Sequence, residues 1–297
     1  MQCWAYVRLT VTIDDDRSEA YVRIRTYEWL TAIMVVFGLT PVAGLPLAGF
    51  SAGAGGGGVT SMTYVSVPAR VDAPAPVGTA ARVGAVAWIV GAAQFLVANG
   101  VAQAAWTTPY SLAHNNISDL GAVSCGMFDE EFPRYICSPL HALFNASMIV
   151  QGVLLATGVL LTARLWGKGF LARTAQTLLV LAATGYLLAG LWPGDVNLDR
   201  HVLGAFLIMI VGNIGLVLAG FVPRDSLVGR LRWFTVTLGL VALAGVWMHF
   251  QRQFGALGLG GSERIAVFPL QLWTLVMGGL VLASARKNRP RAQVVRV

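Results

Sequence analysis

Four histidines occur in this 297-residue chain, and three of them sit among carboxylates and amides beside long apolar runs. His114 lies in the stretch Ser111 to Asp119, where helical spacing would set His114 beside Ser118 and Asn115 beside Asp119. His141 follows Ser138-Pro139, an N-cap and first-turn proline by type, and Asn145 falls one turn further along the same face. His201 closes a polar segment that also holds Asp195, Asn197 and Asp199. Histidine and aspartate are zinc ligands, and a zinc ion with one open position activates water. His114, Asp119, His141 and His201 are therefore candidate zinc ligands, with Asp195 or Asp199 in reserve, and the chemistry would be hydrolysis of a lipid or lipid-linked substrate.

The spacing weighs against that chemistry. No His-Glu-x-x-His or Cys-x-x-Cys occurs, and the ligands come from three separate segments. Ser111, Ser118 or Ser138 beside a histidine would suggest a nucleophile, but no Gly-x-Ser-x-Gly elbow supports any of them. The glycines in 255–261 ahead of Glu263 and Arg264 lack a P-loop lysine and read as a turn capping the last apolar run. The preferred reading is that polar groups at helix ends cap and pair with one another around a pocket. His114, Asn115, Ser118, Asp119, His141, Asn145, Asp195, Asn197, His201, Asn213, Glu263 and Arg264 are its expected members. Asp119 is expected to cap a turn, His201 to bond Asn197 or a loop carboxylate, and His249 to be interfacial.

The elements that must carry these groups are six apolar runs, at 83–105, 139–163, 174–192, 201–222, 233–251 and 265–285. Each is close to the ~20 residues a spanning helix needs. Apolar residues make up 56% of the chain and charged residues 12%, about half the share usual in a soluble domain. The expected fold is all-α: a polytopic membrane protein with a single bundle of six transmembrane helices.

Arg70, Arg82, Arg164, Lys168, Arg173, Arg224, Arg230, Arg232, Arg286, Lys287, Arg289, Arg291 and Arg296 fall on one side of that bundle. Only Arg134, Arg200, Arg252 and Arg264 fall on the other, which also carries most of the acids. The positive-inside rule places both core termini in the cytoplasm. It also accounts for the net charge of +7 without nucleic acid and leaves membrane lipids as the expected partners. The middles of the runs contain no Asp, Glu, Lys or Arg, which argues against ion coupling and leaves a transporter of a neutral or lipid substrate as an alternative. Asn213, about 18 Å past His201 at 1.5 Å per residue, is expected to bond across helices. Gly204, Ile208, Gly212 and Gly215 form a close-packing face, and Trp106, Trp192 and Trp273 read as interfacial anchors.

Residues 28–50 are apolar but broken by Pro41 and Pro46, and a span there would invert every later loop against its charges. The expected organisation is an extension over 1–61 with translation starting at Met62, a flexible cytoplasmic leader over 62–82, the transmembrane domain over 83–285 and a basic cytoplasmic tail over 286–297. A re-entrant segment or a further span are the other readings of 1–61. Cys125 and Cys137 share one outer loop with eleven residues between them, and an oxidising compartment favours their pairing as a disulfide. Closing that loop stabilises it by about 3 kcal/mol in the chain-entropy picture. Cys3 is left alone.

Four motifs in register, HNNISDLGA at 114–122, CSPLHALFNAS at 137–147, WPGDVNLDRHVLGA at 192–205 and LGLGGSERIAVFPLQLW at 257–273, resemble a bacterial membrane family catalogued as domain of unknown function 998. The resemblance covers about 80–290 and includes Cys125 and Cys137. It implies a multispan bacterial membrane protein and no particular reaction. The function expected from the residues is the binding or handling of a lipid or small amphiphile in a polar pocket at the outer face.

Overall fold

The computed structural model describes residues 77–129, 131–252 and 255–287. The extension over 1–61, residues 62–76 of the expected leader and the tail beyond 287 lie outside the described residues. The described chain is mostly helical: α1 Thr79–Ala104, α2 His141–Leu161, α3 Phe170–Leu191, α4 Leu198–Ala219, α5 Arg232–Gln251 and α6 Gly258–Lys287. All six are long and apolar enough to cross a membrane. Sequential helices pack side by side and α6 returns to α1, so the bundle closes in chain order. Large apolar side chains such as Val97, Leu160 and Trp233 point outward and are exposed, as lipid-facing residues must be.

The bundle centre is aromatic. Trp88 packs edge-on against Trp273 and Trp166, with ring centroids 5.2 and 6.4 Å apart. Trp273 Nε1 donates to Thr235 Oγ1 at 3.0 Å. The expectation that Trp273 anchors at an interface is therefore wrong: it is fully buried and its one donor is satisfied inside the bundle.

The predicted small-residue face on α4 is present. A Cβ on Gly204 would stand 2.8 Å from Ala189 N and from Gly185 O, so α3 and α4 touch backbone to backbone there. Between these contacts α4 widens into a π-helical segment, Leu207–Gly212. Such a bulge leaves carbonyls in need of donors. Asn213 Nδ2 supplies one, donating to Met209 O at 2.6 Å and across to Ala266 O of α6 at 2.8 Å. Ala266 lies three residues before Pro269, where the proline ring disturbs the helical ladder of α6. The cross-helix role expected of Asn213 is met at two irregular turns.

Between α1 and α2 the chain forms a 3-10 turn, Ser118–Gly121, then a two-stranded antiparallel hairpin of β1 Gly126–Phe128 and β2 Arg134–Ile136. Gly126 pairs with Ile136, so Cys125 and Cys137 are the next pair across the strands, and their sulfurs are within bonding distance.

Candidate functional site

The segment after α1 folds over one end of the bundle and is held there by the start of α6. Arg264 Nη1 donates to the carbonyls of Leu112, Asn115 and Gly260 at 3.1, 2.9 and 2.8 Å, and Nη2 donates to the Tyr110 hydroxyl at 2.6 Å. Tyr110 in turn donates to Asn116 O at 3.0 Å. Burial pushes the Tyr110 phenol well above its usual range, against a smaller opposing pull from Arg264. Glu263 accepts the backbone N–H of Ile117. The glycines ahead of this pair do not form the turn expected of them throughout. Helix α6 begins at Gly258, whose φ of 70° and lack of a Cβ let it pass against Ala113, and Gly260 N donates to Ala113 O at 2.8 Å.

Asp119 faces Arg134 of β2 through two hydrogen bonds, Nε to Oδ2 at 2.7 Å and Nη2 to Oδ1 at 2.8 Å. It also accepts Asn116 N at 2.9 Å, which is the turn-capping role expected of it. Asn115 Nδ2 reaches the same carboxylate at 3.5 Å, so the predicted pairing of Asn115 with Asp119 holds. Burial works against the charge on Arg134. The hydrogen bonds and charge of Asp119, with Asp129 and Glu263 adding to them, outweigh it and hold the guanidinium pKa above its ordinary value.

Asp195 Oδ2 accepts both the backbone N–H and the hydroxyl of Ser124 at 2.7 Å, tying the α3–α4 loop to the base of the hairpin. Asn197 caps α4 by accepting Arg200 N at 3.1 Å. His201 bonds neither Asn197's side chain nor a carboxylate. Its Nδ1 lies 3.0 Å from Trp192 O, and because a carbonyl only accepts, Nδ1 carries a proton; in the neutral ring Nε2 is then an acceptor.

Ser138 does not cap α2. Its hydroxyl donates to Leu120 O at 2.7 Å, its carbonyl receives His141 Nδ1 at 2.9 Å, and the helix starts at His141. Asn145, one turn on, donates to Gly121 O at 2.9 Å. His114 is exposed and bonds Ser111 Oγ through Nδ1 at 3.0 Å, away from Ser118.

These elements enclose a cavity of about 170 Å³ under the hairpin. Ser118, Asp119, Asp195, His201 and Glu263 line it, so five of the twelve expected residues meet there. A second, smaller chamber of about 30 Å³ continues toward the bundle centre, walled by Phe95, Phe144, Tyr186 and Ile208 and reached by Asn145. Ser118, His201, Ala205, Met209 and Glu263 border both. His114 and His141 border neither, Asn213 lies deeper, and Arg264 acts from behind as the clamp on the loop. The expected members stand on or beside the first, second, fourth and sixth helices, which would place the pocket among those four. The first two border only the small chamber, and α5 joins α4 and α6 at the larger one through His249 and Phe250.

Arg134 and His249 are cavity residues that the sequence did not point to. His249 was read as interfacial, whereas its Nδ1 lies 3.1 Å from Ser262 Oγ inside the bundle end. A signal for Arg134 existed, since it is the one arginine in a loop otherwise rich in acids.

Zinc fits this arrangement poorly. Both oxygens of Asp119 are committed to Arg134, and His114 and His141 stand apart from His201. Among the described residues no three His, Cys, Asp or Glu side chains are grouped closely enough to hold one metal ion.

A multi-pass membrane protein, with six helices long and apolar enough to span, is the class that the fold defines. The family model for protein of unknown function DUF998 matches residues 89–280, and the chain belongs to that family. No curated protein and no solved structure matches the chain.

Proposed function

We propose that this protein binds a lipid or small amphiphile in the hairpin-covered cavity, on the outer side of a bacterial plasma membrane with both ends of the six-helix core in the cytoplasm. The observation that carries this reading is the cavity itself, about 170 Å³ and lined both by ionisable groups and by the apolar side chains of Phe128, Ile136, Val202 and Met209. A cavity of about 150 Å³ accommodates a benzene-sized guest, so the space suits the head of an amphiphile and the first atoms of its stem. The small apolar chamber beyond it points the same way. The orientation rests on the basic residues that flank the opposite end of the bundle, among them Arg164, Lys168, Arg173 and Arg230.

Neither hydrolysis through zinc nor ion-coupled transport gains support. The zinc candidates are scattered, and the ionisable cavity residues gather at one end of the bundle and do not form a path through it. The test is native mass spectrometry of the detergent-purified chain beside an Ala205→Phe variant, which fills the junction of the two chambers. One amphiphile retained per wild-type chain and lost from the variant supports binding. Equal retention by both would place the lipid elsewhere on the protein and end this reading.

A further inference from the structure

The buried side-chain atoms of this cavity that have no hydrogen-bond partner, Asn116 Oδ1 and Asp195 Oδ1, are both acceptors. Asp195 uses Oδ2 on Ser124, while its Oδ1 is buried with no hydrogen-bond partner. Glu263 is 8% exposed and gives one oxygen to Ile117 N, and its other oxygen has no partner among the described residues. His201 has its Nδ1 proton on Trp192 O, so in the neutral ring Nε2 presents a lone pair. All three residues line the same space.

The strong donor of the lining is already committed. Arg134 spends Nε and Nη2 on Asp119 and Nη1 on Asp129 and the carbonyl of Phe132. Four carboxylates, those of Asp119, Asp129, Asp195 and Glu263, line the cavity with one guanidinium. Arg264, next to Glu263, points its donors at loop carbonyls and Tyr110 and away from the lining. A buried carboxylate oxygen without a partner is costly, and a ligand that brings donors and positive charge removes that cost.

A bare divalent cation would need its ligands gathered in one shell, and no such group exists among the described residues. Acceptors distributed around a space of about 170 Å³ suit an organic cation. A primary ammonium carries three N–H donors, and the apolar side chains of Phe128, Ile136 and Met209 in the same lining suit a carbon stem. Resting on the amphiphile reading above, we infer that the cavity recognises a protonated primary amine on an apolar stem, held by Asp195, Glu263 and His201. An aminolipid headgroup and a free alkylamine share this chemistry.

The experiment is thermal unfolding of the full chain in a non-ionic detergent, titrated with dodecylamine, dodecanol and dodecyltrimethylammonium. The expected result is a saturable rise in Tm with dodecylamine, with apparent affinity at least about tenfold above that of either analogue. Asp195→Asn, which keeps the Ser124 contact, and Glu263→Gln should each weaken the amine by about tenfold and leave dodecanol unchanged. The wild-type ligand series and Asp195→Asn carry the test if Glu263→Gln does not fold.

Equal responses to amine and alcohol, both lost in Ala205→Phe, would overturn the ammonium inference and leave the amphiphile reading standing. No saturable response to any of the three would overturn both. An amine response unchanged in both charge-neutral variants would also overturn the inference. Native mass spectrometry with phosphatidylethanolamine against phosphatidylglycerol then separates the sources: preferential retention of the first identifies a lipid headgroup, and retention of dodecylamine alone identifies a free amine, either one supporting the inference.

Discussion

Asp119 and Arg134, fifteen residues apart, meet as a two-bonded ion pair whose side chains are only 2% and 8% exposed. The pair joins the loop that covers the bundle to the hairpin that covers the cavity. Removing one partner from a buried pair costs about 3–5 kcal/mol, because the other charge is left in a poorly solvated place. Asp119→Ala and Arg134→Ala should each lower Tm sharply. The double variant should cost clearly less than the sum of the two, and strict additivity in that cycle would show that the pair is not coupled.

Arg264 and Tyr110 offer a second handle on the same loop. A lysine has one compact ammonium and cannot serve three carbonyls and a hydroxyl at once. Arg264→Lys should therefore cost about 1.5–3 kcal/mol, with faster hydrogen exchange at the amides of 112–117. Tyr110 adds a pH signature. Its folded-state pKa lies above the unfolded value near 10, so the unfolded chain ionises first and the stabilisation, complete below about pH 10, is lost as pH rises beyond it. Tyr110→Phe should flatten the alkaline limb of stability against pH, and an unchanged limb would remove Tyr110 from the account.

At the hairpin, Cys125 and Cys137 close the open end of three paired residues on each strand. An isolated two-stranded hairpin is marginal in water, so the cross-link and the Arg134 contacts must hold it over the cavity. Cys125→Ser with Cys137→Ser should cost about 3 kcal/mol, read as a fall in Tm. Hydrogen exchange should rise first at 124–137, and a uniform rise across the bundle would mean that the hairpin is not an independent unit.

The bundle was legible in the sequence because hydropathy and length act residue by residue along one segment. The cavity was only half legible, for a different reason. Asp119, Asp195, His201 and Glu263 could be placed at one end of the bundle from the span boundaries, but which of them meet depends on how the covering loop folds back. That fold is set by Arg264 reaching carbonyls 149 and 152 residues away in sequence, which no local pattern encodes. Trp273 was misplaced because the interfacial preference of tryptophan was given weight over its position, nine residues into the run at 265–285, where the structure buries it completely.

Gly185 tests how α3 and α4 set the floor of the site. A Cβ there would stand 2.6 Å from Gly204 O and 2.8 Å from Leu207 Cβ, at the turn where the π segment begins. Gly185→Ala should push the helices apart at a cost of about 1–3 kcal/mol. His201 and Ala205 ride on α4, so amphiphile retention should fall with stability. Stability lost with retention intact would separate the helix contact from the cavity.

Metal removal distinguishes the binding reading from hydrolysis most cleanly. With His114 on the exposed loop, His141 turned to Ser138 and Asp119 held by Arg134, any zinc would have to draw on His201, Asp195 and Glu263 after substantial movement of the loop. Chelation should therefore leave Tm and amphiphile retention unchanged, and elemental mass spectrometry should give the same metal content for wild type and a His141→Ala, His201→Ala double variant. About one zinc per wild-type chain, lost in that variant at matched folding, would mean that the loop closes on a metal in the working protein. The cavity would then have to be reconsidered as a hydrolytic site.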